Sequence, residues 1–304
     1  MPKLSDVINT LDELYPPSWA ESWDAVGLVC GDPDDQVRRV LFAVDPVQAV
    51  VEEAVAWGAD LLVTHHPLYL RGTTSVAATS FKGRVVHTLI RAGIALHVAH
   101  TNADHADPGV SDALAEAIGL TVLAPLVPDP SDPAGRRGTG RICELPAPLP
   151  LAEFAAQVAA ALPATAAGVR VSGDPQRPVH RVAVSGGSGD SFFAEVRAAG
   201  VDAYVTADLR HHPAAEAAEA SAVALVDAAH WATEWPWLNL AARSLETAAT
   251  AHGWELATRV STLVTDPWTA HAPMPYVQPQ LFAEPQPQPQ PSADAPSADA
   301  PSAG

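Results

Sequence analysis

RRVLFAVDPVQAVVEEAVAWGADLLVTHHP, residues 38–67, decides the fold. Val40 to Val44 is a short apolar run that reads as a strand, and Val47 to Trp57 reads as a helix. Asp60 to Thr64 is a second apolar strand that stops abruptly at His65-His66-Pro67. Two strands joined by a helical crossover of this length lie parallel, with a right-handed connection. Upstream, Leu4, Val7, Ile8, Leu11 and Leu14 recur at helical spacing and Pro16-Pro17 closes the segment. Downstream, the pattern continues with a helix over Phe81 to Ala92, a strand over Ile94 to Ala99 and a helix over Val110 to Ile118. Pro125 to Pro133 reads as linking sequence.

A second copy of the pattern follows. Arg181 to Val184, a helix through Phe193 to Ala199, and Gly200 to Thr206 match Arg39 to Val44, the Val47 to Trp57 helix, and Gly58 to Thr64. In that register Ala207 and Asp208 stand where His65 and His66 stand in the first copy. The expected architecture is therefore α/β, with two similar halves over 1–125 and 126–265 and a cleft between their strand ends, where open sheets place ligands. From Asp266 the composition changes, with ten of the 29 prolines in 266–304. This Pro/Ala/Gln-rich segment buries too little apolar surface to offset its ordering entropy, and it is expected to be a disordered tail.

Hydrophobic residues make up 48% of the 304, enough for a substantial core. A formal net charge of -18 argues against nucleic acid and anionic lipid as partners. Two cysteines, Cys30 and Cys143, are too few for a disulfide framework or a thiolate zinc site. With no apolar run of membrane-spanning length and no signal-peptide pattern, the expected location is the cytoplasm.

The chemistry gathers at strand ends. His65 and His66 end one strand, and because neighbouring strand residues face opposite ways they suit two adjacent ions better than one. His100-Thr101-Asn102-Ala103-Asp104 follows another strand and offers Asp104 as a hard ligand, while His97, inside the strand, reads as a packed residue. Asp227 to Glu234 follows a third, with His230 and Glu234 four apart on one helical face. Asp227 is expected to orient a ligand or cap that helix. Asp208, ahead of His211-His212, is expected to cap another, and Ser185 to Gly189 reads as a tight strand-to-helix turn lining the cleft. Three histidines and two carboxylates form a suitable inventory for a dinuclear site.

WDAVGL (23–28), VTHHPL (63–68), HTNAD (100–104), SGGSGD (185–190), TADLRHH (206–212) and DAAHWATE (227–234) occur together and in order. In this the chain, from near residue 1 to the STLVTDPW segment ending at Trp268, resembles the GTP cyclohydrolase 1 type 2 homologues, also called Nif-three-like proteins. It departs from their pattern at Ala25, where they usually have Asn. The resemblance implies two divalent ions, of zinc, iron, manganese, cobalt or nickel. One would be held by His66 and Asp104, the other by His65 and His230, with Glu234 bridging. It also implies a homohexameric ring. The function it implies is metal-dependent hydrolysis of a nucleotide-like substrate; the alternative is a non-catalytic metal-binding scaffold, trafficking or regulatory protein.

Overall fold

The structure, a computed structural model, describes residues 1–272. The tail expected to be disordered lies, from 273 onward, outside the described residues. In chain order the elements are α1 (Leu4–Leu14), β1 (Gly27–Cys30), β2 (Arg39–Ala43), α2 (Gln48–Trp57), β3 (Leu61–Thr64), α3 (Phe81–Ala92), β4 (Ala95–Val98), α4 (Thr101–His105), α5 (Val110–Ile118) and β5 (Thr121–Pro128). They continue with β6 (Gly138–Pro150), α6 (Leu151–Ala161), β7 (Arg170–Ser172), β8 (Pro178–Ser188), α7 (Phe193–Ala199), β9 (Ala203–Ala207), α8 (His211–Ala220), β10 (Ala224–Ala228), α9 (His230–Ala251) and β11 (Ala257–Val260).

The strands form two sheets, ordered β1-β4-β3-β2-β11 and β5-β6-β8-β9-β10-β7. As the crossover predicts, β2 and β3 are parallel, and so are β3 and β4. Strand alternation feeds two cores at once. Val40, Phe42, Leu61 and Val63 join the large interior cluster, while Leu41, Ala43 and Leu62 turn to a second cluster with Val50, Val51 and Leu89 of the covering helices. Burial on both faces explains why these strands read as unbroken apolar runs.

The sequence echo is carried down to individual hydrogen bonds. Val40 aligns with Leu61 across β2 and β3, and Val182 aligns with Ala203 across β8 and β9, so both pairs share one offset (182 − 40 = 142 and 203 − 61 = 142). Asp60 accepts the backbone N–H groups of Arg38 and Arg39 through Oδ2, at 2.7 and 2.9 Å. Asp202, at the same offset, accepts those of His180 and Arg181 at 3.0 and 2.9 Å. Gly58 and Gly200 end α2 and α7 in the left-handed conformation, at φ 70° and 61°, which glycine adopts without a Cβ penalty.

Three features differ from the sequence reading. Pro125 to Pro133 is not simply linking sequence: β5 runs through Pro128 and pairs antiparallel with β6, its prolines tolerated on a sheet edge. After α9 the chain returns to the first sheet, where β11 adds parallel to β2. Ordered packing also continues past 265, because Asp266 is buried. Among the described residues no helix is long and apolar enough to cross a membrane.

Candidate metal centre

β3 delivers the first two histidines. Beyond Thr64 the ladder to the neighbouring strand persists, with His65 N–H donating to Ala43 and His66 N–H to Val44 at 3.1 and 2.9 Å, while the chain bends. The bend brings the two rings to 5.2 Å between centroids instead of leaving them on opposite faces. α9 begins at His230, so His230 and Glu234 project together from its first turns, with Glu234 buried.

Four imidazoles share one pattern. Nδ1 of His65 faces the Ala99 carbonyl at 3.0 Å, that of His66 faces Asp45 Oδ1 at 2.7 Å, that of His230 faces Asp208 Oδ2 at 2.7 Å and that of His100 faces Asp24 Oδ1 at 2.9 Å. Carbonyl and carboxylate oxygens only accept, so Nδ1 carries the hydrogen in each ring, and the neutral ring presents a bare lone pair at Nε2. For three of them that lone pair faces Glu234: His65 at 3.5 Å, His66 at 2.9 Å and His230 at 3.0 Å. The Nε2 atoms of His66 and His230 are themselves 3.2 Å apart. His65 Nε2 and Glu234 Oε2, both buried, have no hydrogen-bond partner. Acceptors converging without hydrogens repel one another unless cations or extra protons enter. An outer oxygen on Nδ1 and an inner lone pair on Nε2 is how histidine is oriented toward a metal.

Without a metal, protons fill this role. Burial opposes charge on His66 and His230, but Glu234 together with Asp45 or Asp208 outweighs it and raises the two rings to about 10 and about 11. Burial likewise opposes charge on Glu234, yet the facing imidazoles hold its carboxyl well below the usual range. Asp104, by contrast, is pushed up by burial.

The structure therefore brings His65, His66, His230 and Glu234 together, with Asp104 Oδ1 3.9 Å from His65 Nε2. The grouping differs from the one implied by resemblance. His66 pairs with His230, and His65 lies beside Asp104, because the end of β3 aims His66 toward the start of α9 and His65 toward α4. Tight sets of ligand atoms comprise His66, His230 and Glu234, and also His65, His66 and His100. His100, at the head of the HTNAD segment, was not among the expected ligands. Asp208 does not cap α8, whose N-cap is Arg210. It sits at φ 56° and receives His230 Nδ1–H. Asp227 caps nothing either: it lies in β10, paired with Arg170. Asp24, which the sequence marked only as part of WDAVGL, holds both His100 and the Thr101 backbone. The repeat contained a signal for Asp208, since it occupies the position of His66 at the same offset. His97 is buried, as expected of a packed residue.

The cluster opens onto a cavity of about 780 Å³ lined by His100, Asp104, His230 and Glu234 on one side and by Trp23, Ser188 and Phe192 elsewhere. That volume falls within the range of small-molecule sites. The glycine segment lines it as expected, but Ser185 to Ser188 are the last residues of β8, not a tight turn after it. Gly187 has φ +67°, and a Cβ there would fall 2.5 Å from Glu234 Oε1. Gly187→Ala is expected to lower stability by about 1–2 kcal/mol from the left-handed backbone alone and to displace Glu234. Urea denaturation together with metal titration checks both; an alanine variant with unchanged stability and metal uptake would refute the crowding argument.

The profile of the Duf34/NIF3 (NGG1p interacting factor 3) family matches residues 2–267. The chain belongs to this family. Among Duf34/NIF3 relatives, the GTP cyclohydrolase 1 type 2 homolog of Streptomyces coelicolor is 69% identical over 271 residues, covering 89% of this chain and 95% of that protein. The homolog of the same description from Mycobacterium tuberculosis is 42% identical, covering 88% and 96%. A solved Duf34/NIF3 structure, the Bacillus cereus protein related to NIF3, superposes with a TM-score of 0.81 at 25% identity, covering 88% of this chain and 98% of that one. The mixed α/β fold with two sheets is thus that of the Duf34/NIF3 family.

Proposed function

We propose that the chain holds two divalent ions and hydrolyses a nucleotide-like substrate in the adjoining cavity. The observation that carries this reading is the convergence of the Nε2 atoms of His65, His66 and His230 on Glu234, with His65 Nε2 and Glu234 Oε2 buried and unpartnered, at the wall of a cavity of about 780 Å³. Two sets of donor atoms meet here, His66 with His230 and Glu234, and His65 with His66 and His100, with Asp104 beside His65. Mixed imidazole and carboxylate donors suit zinc, iron, manganese, cobalt or nickel. Bound there, such ions supply Lewis acidity that acidifies water and polarises a carbon or phosphoryl centre. The chain's own part is to fix the donors: Asp45, Asp208, Asp24 and the Ala99 carbonyl lock the four rings, and Gly187 leaves room for the Glu234 carboxylate. The naming of the relatives supports a guanine nucleotide as the first substrate to try.

Elemental analysis of protein purified without chelator, paired with a nucleotide hydrolysis panel, tests the proposal. Two ions per chain and metal-dependent turnover are expected. Two ions without turnover of any nucleotide would reassign the chain to a non-catalytic metal-holding role, and no ion would remove the centre altogether.

A further inference from the structure

The STLVTDPW segment, residues 261–268, ends the stretch that resembles the family yet supplies none of the ligand candidates. It leaves β11 and runs past the carboxyl end of β2. Ser261 anchors it: its N–H donates to the Phe42 carbonyl at 2.8 Å, its hydroxyl donates to Glu53 Oε2 at 2.6 Å, and its carbonyl accepts Trp235 Nε1–H at 2.9 Å. Four residues on, the Thr265 hydroxyl donates to Asp45 Oδ2 at 2.5 Å. The other oxygen of the same carboxylate receives His66 Nδ1–H at 2.7 Å.

We infer that this segment is a strap that sets the metal site from behind, with Thr265 a positioning residue that fixes Asp45 and, through Asp45, the ring of His66. The inference rests on the metal-centre reading above. The physical argument concerns rotation. The last torsion of an aspartate is broad, so a carboxylate held through one oxygen can swing and carry its histidine with it. Tying the second oxygen to a hydroxyl fixes the carboxylate plane, and Nε2 of His66 then stays aimed at Glu234. A hydroxyl has a single hydrogen to give, and Thr265 gives it to Asp45. Outer partners of this kind contribute on the order of 10–100-fold to metal affinity when removed from a ligating histidine.

The test uses the full chain, stripped of metal and titrated with cobalt(II), followed by its visible absorption. Thr265→Val keeps the shape of the side chain and removes the donor; Thr265→Ser keeps the donor. The valine variant is expected to weaken one of the two cobalt sites about 10-fold and alter its absorption, leaving the other site at wild-type affinity, and the serine variant to restore both. Wild-type affinity at both sites in the valine variant overturns the role of the strap. So does equal weakening of both sites accompanied by a lower melting temperature of the metal-free protein, which marks general loosening, and so does failure of serine to restore. A wild-type chain that takes up no cobalt instead refutes the metal centre itself, and the role of the strap falls with it.

Discussion

Glu234→Ala is expected to lose both ions together. The carboxylate lies within 3.5 Å of three imidazole nitrogens that approach from the end of β3 and from α9 itself, so one side chain faces His65, His66 and His230 at once. A structural zinc site of four ligands binds with about 10–16 kcal/mol, so one ligand contributes roughly 3 kcal/mol, or on the order of 100-fold in affinity at each ion. Removing Glu234 should therefore weaken both sites by about that factor. Asp104→Ala should act on the His65 side alone. Competition against a chelator of known affinity, together with the metal content after gel filtration, reads the result. If Glu234→Ala kept one ion at wild-type affinity, the carboxylate would not lie between two cations.

Metal affinity should rise steeply with pH. Unfolded histidine titrates near 6.5, whereas in the metal-free fold His66 and His230 hold their protons to about 10 and about 11. An entering cation must displace both protons, so between pH 7 and 9 its affinity should increase up to about 100-fold per pH unit. The sign for stability of the metal-free protein is opposite. A raised histidine contributes stability that is fully present below the unfolded value and is lost as pH rises toward the folded one, so this contribution declines from about pH 6.5 upward. Glu234, held low, contributes above the ordinary carboxylate range and loses its contribution as pH falls. The metal-free chain should thus be most stable in mildly acidic solution and the loaded chain in mildly alkaline solution. Thermal melts across pH 5 to 9 with and without zinc check the crossing. Parallel melting curves would show that protons and metal do not compete for these nitrogens.

The fold was legible where hydrophobic period and repeat coincide. Residues 38–67 announce β2, α2 and β3, and the echo at 181–206 is reproduced in register and in the twin aspartate bridges of Asp60 and Asp202. Short edge strands were not legible. Four residues of β1 and four of β11 gain their strand identity from distant partners, His97 and Leu41 among them, and carry no pattern of their own. β6 is punctuated by Pro146, Pro148 and Pro150, which mask its length. At the site, strand ends pointed to the inward-facing residues His65, His66, His230 and Glu234. The outward partners Asp24 and Asp45 did not show, because they are ordinary loop aspartates until folding sets each against one imidazole nitrogen, and Asp208 was marked only by its place in the repeat. His100 stayed hidden for a related reason: one histidine at a loop start is common, and only its bond to Asp24, 76 residues away, sets it apart.

The return of β11 to the edge of the first sheet has a consequence for how the protein is made. β2 waits for a neighbour that leaves the ribosome more than two hundred residues later, and Ser261 and Thr265, which lie against Glu53 and Asp45, emerge later still. A nascent chain halted anywhere before this point has His65, His66 and Asp45 in hand but not the hydroxyl that ties Asp45 down. A shortened product of interrupted translation would therefore lack both the edge strand of the first sheet and the tie between Thr265 and Asp45.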